Sequence, residues 1–245
     1  MTSTIPSRRF LGIFSTAIGL AFIFGGAVRA ADDGRIILFN GKDLTGWKLR
    51  NNSDETKNTW KVVSEVKLDA NDPKNLVGSG EGGSADSAML RGKIAHGSDI
   101  MTEQKFGDCE LHVEFMVPRG SNSGVYLQGV YEIQILDSFG KQGNLSPGDC
   151  GGIYSTQAPS TNATKAPGQW QTLDVIFKAP RFDASGKKTA DAEFVKVVLN
   201  GTTIHENVKA KGPTGGQISG EVPAGPLMFQ GDHGIVAFRN VWIKR

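Results

Sequence analysis

The 245-residue chain has only two cysteines, Cys109 and Cys150. Two thiols cannot build the disulfide framework of a small secreted scaffold. Cys109 sits in a strand-like run and Cys150 in a glycine-rich loop, so separate thiols are expected ahead of a pair. Long amphipathic helices are also missing: no apolar stripe of period 3.6 persists beyond two turns. The chain has no H-E-x-x-H, C-x-x-C or G-x-S-x-G motif, which removes support for a zinc protease, a dithiol redox protein or a serine hydrolase. There is no basic stripe to hold nucleic acid.

A long apolar run occurs only near the N-terminus. Arg8 and Arg9 precede an apolar stretch over 10–24, followed by Val28-Arg29-Ala30. This order of basic, apolar and small residues predicts a signal peptide over 1–30, cut after Ala30, with residues 31–245 as one domain. The run is short for a membrane span and is broken by Gly12, Ser15 and Gly19, so no stable span is expected. Ser7-Arg8-Arg9-Phe10-Leu11 leaves both the general and the twin-arginine export routes open. The predicted location is the periplasm or the exterior. The leader holds three arginines and no acid, so the slight basic excess of the whole chain belongs to it.

Short strands and glycines make up the remainder. Trp60 opens a strand over 60–63, and further strands are expected at 36–39, 66–68, 89–93, 100–102, 170–178, 193–199, 202–206, 226–230 and 235–244. The clearest covers 109–117, where Leu111, Val113, Phe115 and Val117 alternate with Glu110, His112, Glu114 and Met116. Asn200-Gly201 predicts a type I′ hairpin. The run 78–83 formally contains G-x-G-x-x-G, but neither a solid strand before it nor a helix start after it supports a dinucleotide site, and a loop is expected. Thirty-two glycines with turns at short intervals point to an all-β sandwich or jelly roll.

The stretch 119–154 carries the most chemistry. Two strand-like runs, 124–128 and 131–136, flank a turn at Gly129 and Val130. Alternation sets Glu132, Gln134 and Leu136 on one face and Tyr131, Ile133 and Ile135 on the other. Tyr126 and Gln128 alternate with Val125 and Leu127. One sheet face could thus present a tyrosine, two amides and a carboxylate, a composition suited to sugar, although an ordinary solvated face has the same alternation.

Several long phrases occur in a fixed order: LFNGKDLTGWK at 38–48, MTEQKFGDCELHVEF at 101–115, SNSGVYLQGVYEIQILDSFG at 121–140, GDCGGIY at 148–154, GQWQTLDVIFKAPRFDASGKK at 168–188, NGTTIHENVKAKGPTGG at 200–216 and GPLMFQGDHGIVAFRNVWIK at 225–244. Together they resemble the 3-keto-disaccharide hydrolase domain family, also known as domain of unknown function 1080, over nearly all of residues 31–245. Gly231, between Gln230 and Asp232, departs from the family's more usual run. The resemblance implies a concanavalin A-like jelly roll of two curved antiparallel sheets with a concave substrate face. It also implies action on 3-keto-glycosides, sugars oxidised at C3 by a separate dehydrogenase acting upstream.

On such a substrate the ketone acidifies the C2 proton. A base can remove it, the C1 substituent departs, and water adds back. Glu132 or His233 is the candidate base. Arg239, Gln134 or Tyr126 would support the oxyanion or orient the sugar. Gln128, Asp232, Lys93 and Glu103 are further candidates for the substrate cleft. The spacing E-x-Q-x-x-D of Glu132, Gln134 and Asp137 also resembles the E-x-D-x-x-E of laminarinase-like retaining glycosidases. There a bulge returns the last acid to the same face, and two carboxyls about 5–5.5 Å apart are required. Asp137 has a turn or capping role as its alternative. Trp47, Trp60 and Trp170 could stack on sugars, whereas Trp242 between Val241 and Ile243 reads as core. His112 beside two glutamates could join a metal cluster, but a solvated strand face is the simpler reading. No organic cofactor is expected. A structural calcium ion is compatible with such folds, though the sequence has no defined loop for it. The rival functions are a non-catalytic carbohydrate-binding module and a conventional retaining β-glucanase.

Overall fold

The computed structural model describes residues 1–2, 33–50, 59–92, 97–216 and 218–245. Residues 3–30 of the expected leader and Lys93 lie outside the described residues. Among those described there is no helix. The strands in chain order are β1 (Arg35–Ile37), β2 (Trp47–Leu49), β3 (Trp60–Val63), β4 (Glu65–Leu68), β5 (Leu76–Ser79), β6 (Ala88–Arg91), β7 (Ile100–Phe106), β8 (Cys109–Met116) and β9 (Asn122–Leu127). They continue with β10 (Tyr131–Leu136), β11 (Gln171–Lys178), β12 (Arg181–Phe182), β13 (Lys188–Ala190), β14 (Ala192–Leu199), β15 (Thr202–Ala210), β16 (Gly225–Phe229) and β17 (Val236–Lys244).

Every pairing is antiparallel, and two sheets form the layers of a concanavalin A-like jelly roll. One runs β15-β14-β11-β8-β17-β6-β3, with β1 also on β17. The other runs β10-β9-β16-β7-β2. β4–β5 and β12–β13 are separate two-stranded ribbons. Aromatic residues join the layers. Phe229 of β16 stacks on Phe238 of β17 with ring centroids 3.9 Å apart, and Trp47 lies 5.0 Å from Phe229. Tyr131 of β10 meets Phe177 of β11 at 5.5 Å. Each such ring removes a large apolar area from water, and offset stacking adds to the area term.

The period of two decides which side chains enter this core. Leu111, Val113 and Phe115 of β8 are buried, as are Tyr131, Ile133 and Ile135 of β10. The Asn200-Gly201 turn has φ of 51° and 80°, as a type I′ hairpin requires, and joins Leu199 to Thr202 in register. Elsewhere the expected boundaries shift. β7 and β15 are longer than their apolar centres because neighbouring strands hold their polar ends. Gly78 and Ser79 close β5 rather than forming a loop. A Cβ at Gly78 would come within 2.7 Å of Leu90, so close packing explains that glycine.

Trp242 is not core. Val241 and Ile243 point inward, and Trp242 lies half-buried on the outside, stacked against His112 at 5.1 Å with the Arg35 guanidinium 5.2 Å from its ring. The register of β17 against β8 shifts between Arg239 and Trp242, where Asn240 has φ of 48°. The extra residue of this bulge lets both Phe238 and Val241 face inward. Both cysteines are free and buried, and burial pushes each thiol up to about 12.

The Phe229–Phe238 stack should dominate stability. Phe238→Ala is expected to destabilise the fold by about 3–5 kcal/mol, the range for emptying a buried aromatic site, as a lower denaturant midpoint with the same slope.

Candidate active site

The outer face of the five-stranded sheet carries Tyr126, Glu132 and Gln134, the polar residues that β9 and β10 were expected to present with the exception of Gln128. The pairing runs without a shift from Tyr131↔Leu127 to Leu136↔Asn122 and sets Glu132 opposite Tyr126 and Gln134 opposite Gly124. Met228 of β16 continues the row beyond Tyr126. β10 is the edge strand of its sheet, but its edge is covered. Gln134 and Glu132 exchange backbone hydrogen bonds with Gly151, Gly152 and Tyr154, and the Glu132 N–H donates to Thr214 Oγ1 at 2.8 Å. The strand that bears the carboxylate is therefore held on both sides.

The Glu132 side chain lies across Gly124. A Cβ at that glycine would fall 2.3 Å from Glu132 Oε1. Glycine here leaves the carboxyl room, and Gly216 does the same for Tyr126, whose hydroxyl would sit 2.7 Å from an added Cβ. Glu132 is 3% exposed. Loss of solvent raises its carboxyl to about 7. A hydrogen bond from the Tyr126 hydroxyl and the proximity of His233 oppose the rise, while the Asp99 and Asp232 carboxylates add to it. Burial and the same carboxylate raise the Tyr126 phenol far above its ordinary value, so it stays protonated and donates. Gln230 Nε2 donates to the Tyr126 oxygen at 3.4 Å.

The loop after β16 supplies the histidine. His233 Nδ1 lies 2.5 Å from Asp232 Oδ1, and both side chains are about half exposed. This pair forms the open side of the site and Glu132 its floor. An Nδ1–H held by the carboxylate leaves Nε2 as the nitrogen for proton transfer. Gly231, the residue that departs from the family pattern, has a steric role. A Cβ there would lie 2.2 Å from Ser98 O. Its N–H donates to Asp99 Oδ1 at 2.9 Å and its carbonyl accepts from Arg91 Nε at 2.7 Å.

The structure thus brings together Glu132, Tyr126, Gln134, Asp232 and His233. Gln134 Nε2 donates to Asn122 Oδ1 at 2.6 Å. Other expected residues lie elsewhere. Gln128 leaves the strand face because it adopts φ of 58° in the hairpin turn, and its amide donates to the Phe106 and Pro223 carbonyls, both at 3.2 Å. Arg239 belongs to the other sheet. With Phe238 inside, alternation turns Arg239 to the opposite exterior, where it bonds Glu114 at 2.7 Å and covers Trp170 at 4.2 Å. Its positions relative to Glu132 and to a sugar on that face are therefore incompatible with an oxyanion role. Asp137 does not return to the Glu132 face, because β10 has no bulge. Its carboxylate accepts from the N–H groups of Gly120 and Phe139, the capping alternative. Glu103 is exposed on β7, one strand beyond β16.

Sequence reading missed Asp99, Arg50, Arg91, Gln230 and Thr214. Gln230 adjoins the Gly-Asp-His-Gly run and could have been included. The other four are isolated polar residues at strand or loop ends, with no local pattern to mark them. His112 pairs with Asp174 at 2.6 Å on the far sheet. Among the described residues no group of three or more His, Cys, Asp or Glu side chains is placed to hold a metal ion.

The buried carboxyl makes stability depend on pH. The folded state keeps the Glu132 proton up to about 7, against 4.5 for an ordinary glutamate. Between those values the unfolded state holds fewer protons, so stability falls as pH rises and then levels off. Glu132→Gln removes that fall. The variant should match the parent near pH 4 and exceed it at pH 8 by on the order of 3 kcal/mol, read from denaturant unfolding at both pH values.

The chain is similar to known proteins over most of its length. The 3-keto-alpha-glucoside-1,2-lyase-like domain matches residues 34–244. A crystal structure of a candidate glycosyl hydrolase from Parabacteroides distasonis ATCC 8503 is 28% identical with a TM-score of 0.65, covering 87% of this chain and 84% of that one. A second candidate glycosyl hydrolase from the same organism is 21% identical with a TM-score of 0.56, covering 86% and 94%, and shares the fold. No curated protein matches the chain. With nearly the whole described fold inside the match, the chain belongs to the 3-keto-alpha-glucoside-1,2-lyase-like domain family.

Proposed function

We propose that this protein cleaves 3-keto-glycosides, with Glu132 as the base that removes the C2 proton. The observation that carries the reading is the carboxyl of Glu132, buried to a proton affinity near neutral and bonded by the Tyr126 hydroxyl beside the Asp232–His233 pair. A base is most useful when its pKa lies near the working pH. A C2–H bond next to a ketone is acidic enough for a carboxylate to remove its proton, because the charge passes to the carbonyl oxygen, whereas an unoxidised glycoside has no such proton.

The steps balance without an added oxidant or reductant. Glu132 takes the C2 proton, and the electron pair of the broken C–H bond moves onto the C3 carbonyl oxygen. When that pair returns, it forms the C1–C2 double bond and expels the C1 oxygen substituent. The Asp232–His233 pair supplies the proton the departing oxygen needs. Stopping there gives a lyase product. Addition of water, with hydroxyl to C1 and a proton returned to C2, gives net hydrolysis. Tyr126, held protonated, keeps the Glu132 carboxyl oriented, and Gln134 lines the same face. The conventional retaining alternative lacks support because Asp137 caps a turn and leaves Glu132 without a second carboxyl from its own strand. In this reading the protein works outside the cytoplasm, after a dehydrogenase has installed the ketone.

The direct test is sugar release by residues 31–245 from matched 3-keto and unoxidised glucosides of each anomer. Release is expected from a keto substrate alone, and Glu132→Gln should lose about 10²–10⁴-fold in rate. The parent's kcat/KM should fall as pH drops below about 7, following protonation of Glu132. Equal release from the plain glucoside would reject the keto-specific mechanism, and saturable binding without turnover would make the protein a carbohydrate-binding module. Export is tested separately: expressed full-length chain recovered from the periplasm or medium should begin at Ala31 by mass spectrometry, and retention of Met1 on cell-associated protein would count against a cleaved leader.

A further inference from the structure

Two buried charged side chains outside the reacting group grip the loop that carries His233. Asp99 precedes β7 and is 4% exposed. Its Oδ1 accepts from the Gly231 N–H at 2.9 Å, and its Oδ2 accepts from Arg50 Nη1 at 2.9 Å. A backbone bond from Arg50 N to Asp99 O at 2.9 Å fixes the same two residues a second time. On the opposite side of the Gly231 peptide, Arg91 Nε donates to its carbonyl. The backbones leave no slack. An added Cβ would lie 2.2 Å from Ser98 O at Gly231 and 2.3 Å from Gly231 O at Gly97. The residues on either side of this clamped peptide are Gln230, bonded to Tyr126, and Asp232, paired with His233.

We propose that Asp99 and Arg50 form a positioning pair for the reaction: Asp99 anchors the loop at 230–233 beside Glu132, and Arg50 holds Asp99 in the acceptor orientation that does so. The reaction role rests on the reading of Glu132 as base, but the anchoring does not. The pair also has an electrostatic consequence. Glu132 faces Tyr126 from β9, Asp232 and His233 from the loop after β16, and Asp99 from the segment before β7. Arg91, at the end of β6, senses Asp232. The Asp99 carboxylate favours the protonated form of Glu132, and Arg50, ion-paired with it at 2.9 Å, brings the opposite sign to the same place. A pair that braced the fold away from the site would leave the Glu132 titration unmoved.

Opposite responses to two substitutions test this. Asp99→Asn keeps an oxygen acceptor but removes the negative charge. Arg50→Ala keeps the negative charge but removes its partner, and the Arg50 side chain is 30% exposed, so this variant tolerates the change best. Glu132 is titrated by carboxyl-carbon NMR in full-length protein, with its signal assigned by its loss in Glu132→Gln. Asp99→Asn should lower the midpoint and Arg50→Ala should raise it, each by about half a pH unit. Amide hydrogen exchange at 231–233 should quicken about tenfold in Asp99→Asn, the effect of weakening one charge-assisted bond, and kcat on the 3-keto-glucoside should fall more than KM changes. Unchanged exchange, or midpoints that move in the same direction, would overturn the proposal. If Asp99→Asn does not fold, the direction of the Arg50→Ala midpoint decides alone. A parent that turns over no keto-glucoside would defeat the functional reading while the titration and exchange still decide the anchoring.

Discussion

Phe229 and Phe238 lie face to face across the sandwich, and the site depends on that contact. The two rings lock the end of β16 to the start of β17 at 3.9 Å. The chain between them must therefore cross from one sheet to the other at a fixed place, and that crossing carries Gln230, Gly231, Asp232 and His233. The same stack sets parity. With Phe229 inward, Met228 falls on the outer face next to Tyr126. A core interaction with no polar atom thus determines where a histidine and a tyrosine meet a carboxylate.

Burying Glu132 on a sheet face that would ordinarily be solvated costs stability, because an ionised carboxyl loses water there. The surrounding residues limit the loss without removing it. Gly124 and Gly216 make space for the acid and the phenol, Tyr126 and Thr214 satisfy polar atoms, and His233 offsets part of the negative field of Asp99 and Asp232. The result is a carboxyl whose proton affinity lies near neutrality, a setting that function can use and stability alone would not select. The outer face of the other sheet shows the contrast. There Glu114 is ion-paired with Arg239 and bonded to Asn240, and those partners hold its carboxyl below the usual range despite partial burial. Two glutamates on two sheet exteriors differ in proton affinity because one is cut off from water, with carboxylates adding to the rise, and the other is only partly buried, with cationic and amide partners.

The sandwich was legible wherever a strand alternates cleanly. β8, β10, β11 and the Asn200-Gly201 hairpin follow from side-chain period and turn chemistry, both local properties. The central pair of Glu132 and Tyr126 on one face was legible for the same reason. Errors arose where a local rule met a distant constraint. Gln128 follows the alternation on paper but enters a turn. Trp242 sits between two core residues yet faces outward, because the Asn240 bulge resets the strand against β8. Asp137 has the spacing of a catalytic partner without the bulge that spacing requires. Arg239 is near His233 in the chain and on the opposite exterior in space.

By itself the sequence determined the strand-rich class, the family and which face of β10 bears the carboxylate, since each is written in short-range pattern or in long collinear phrases. Tertiary structure alone decided that Asp99, Arg50 and Arg91 converge on the Gly231 peptide, that Glu132 lies shielded from water beside two other carboxylates, and that Arg239 lies against Glu114 and Trp170 on the opposite exterior. These outcomes depend on which distant segments share a layer and how closely their backbones approach. That is a property of the packed sandwich, and no single strand's alternation contains it.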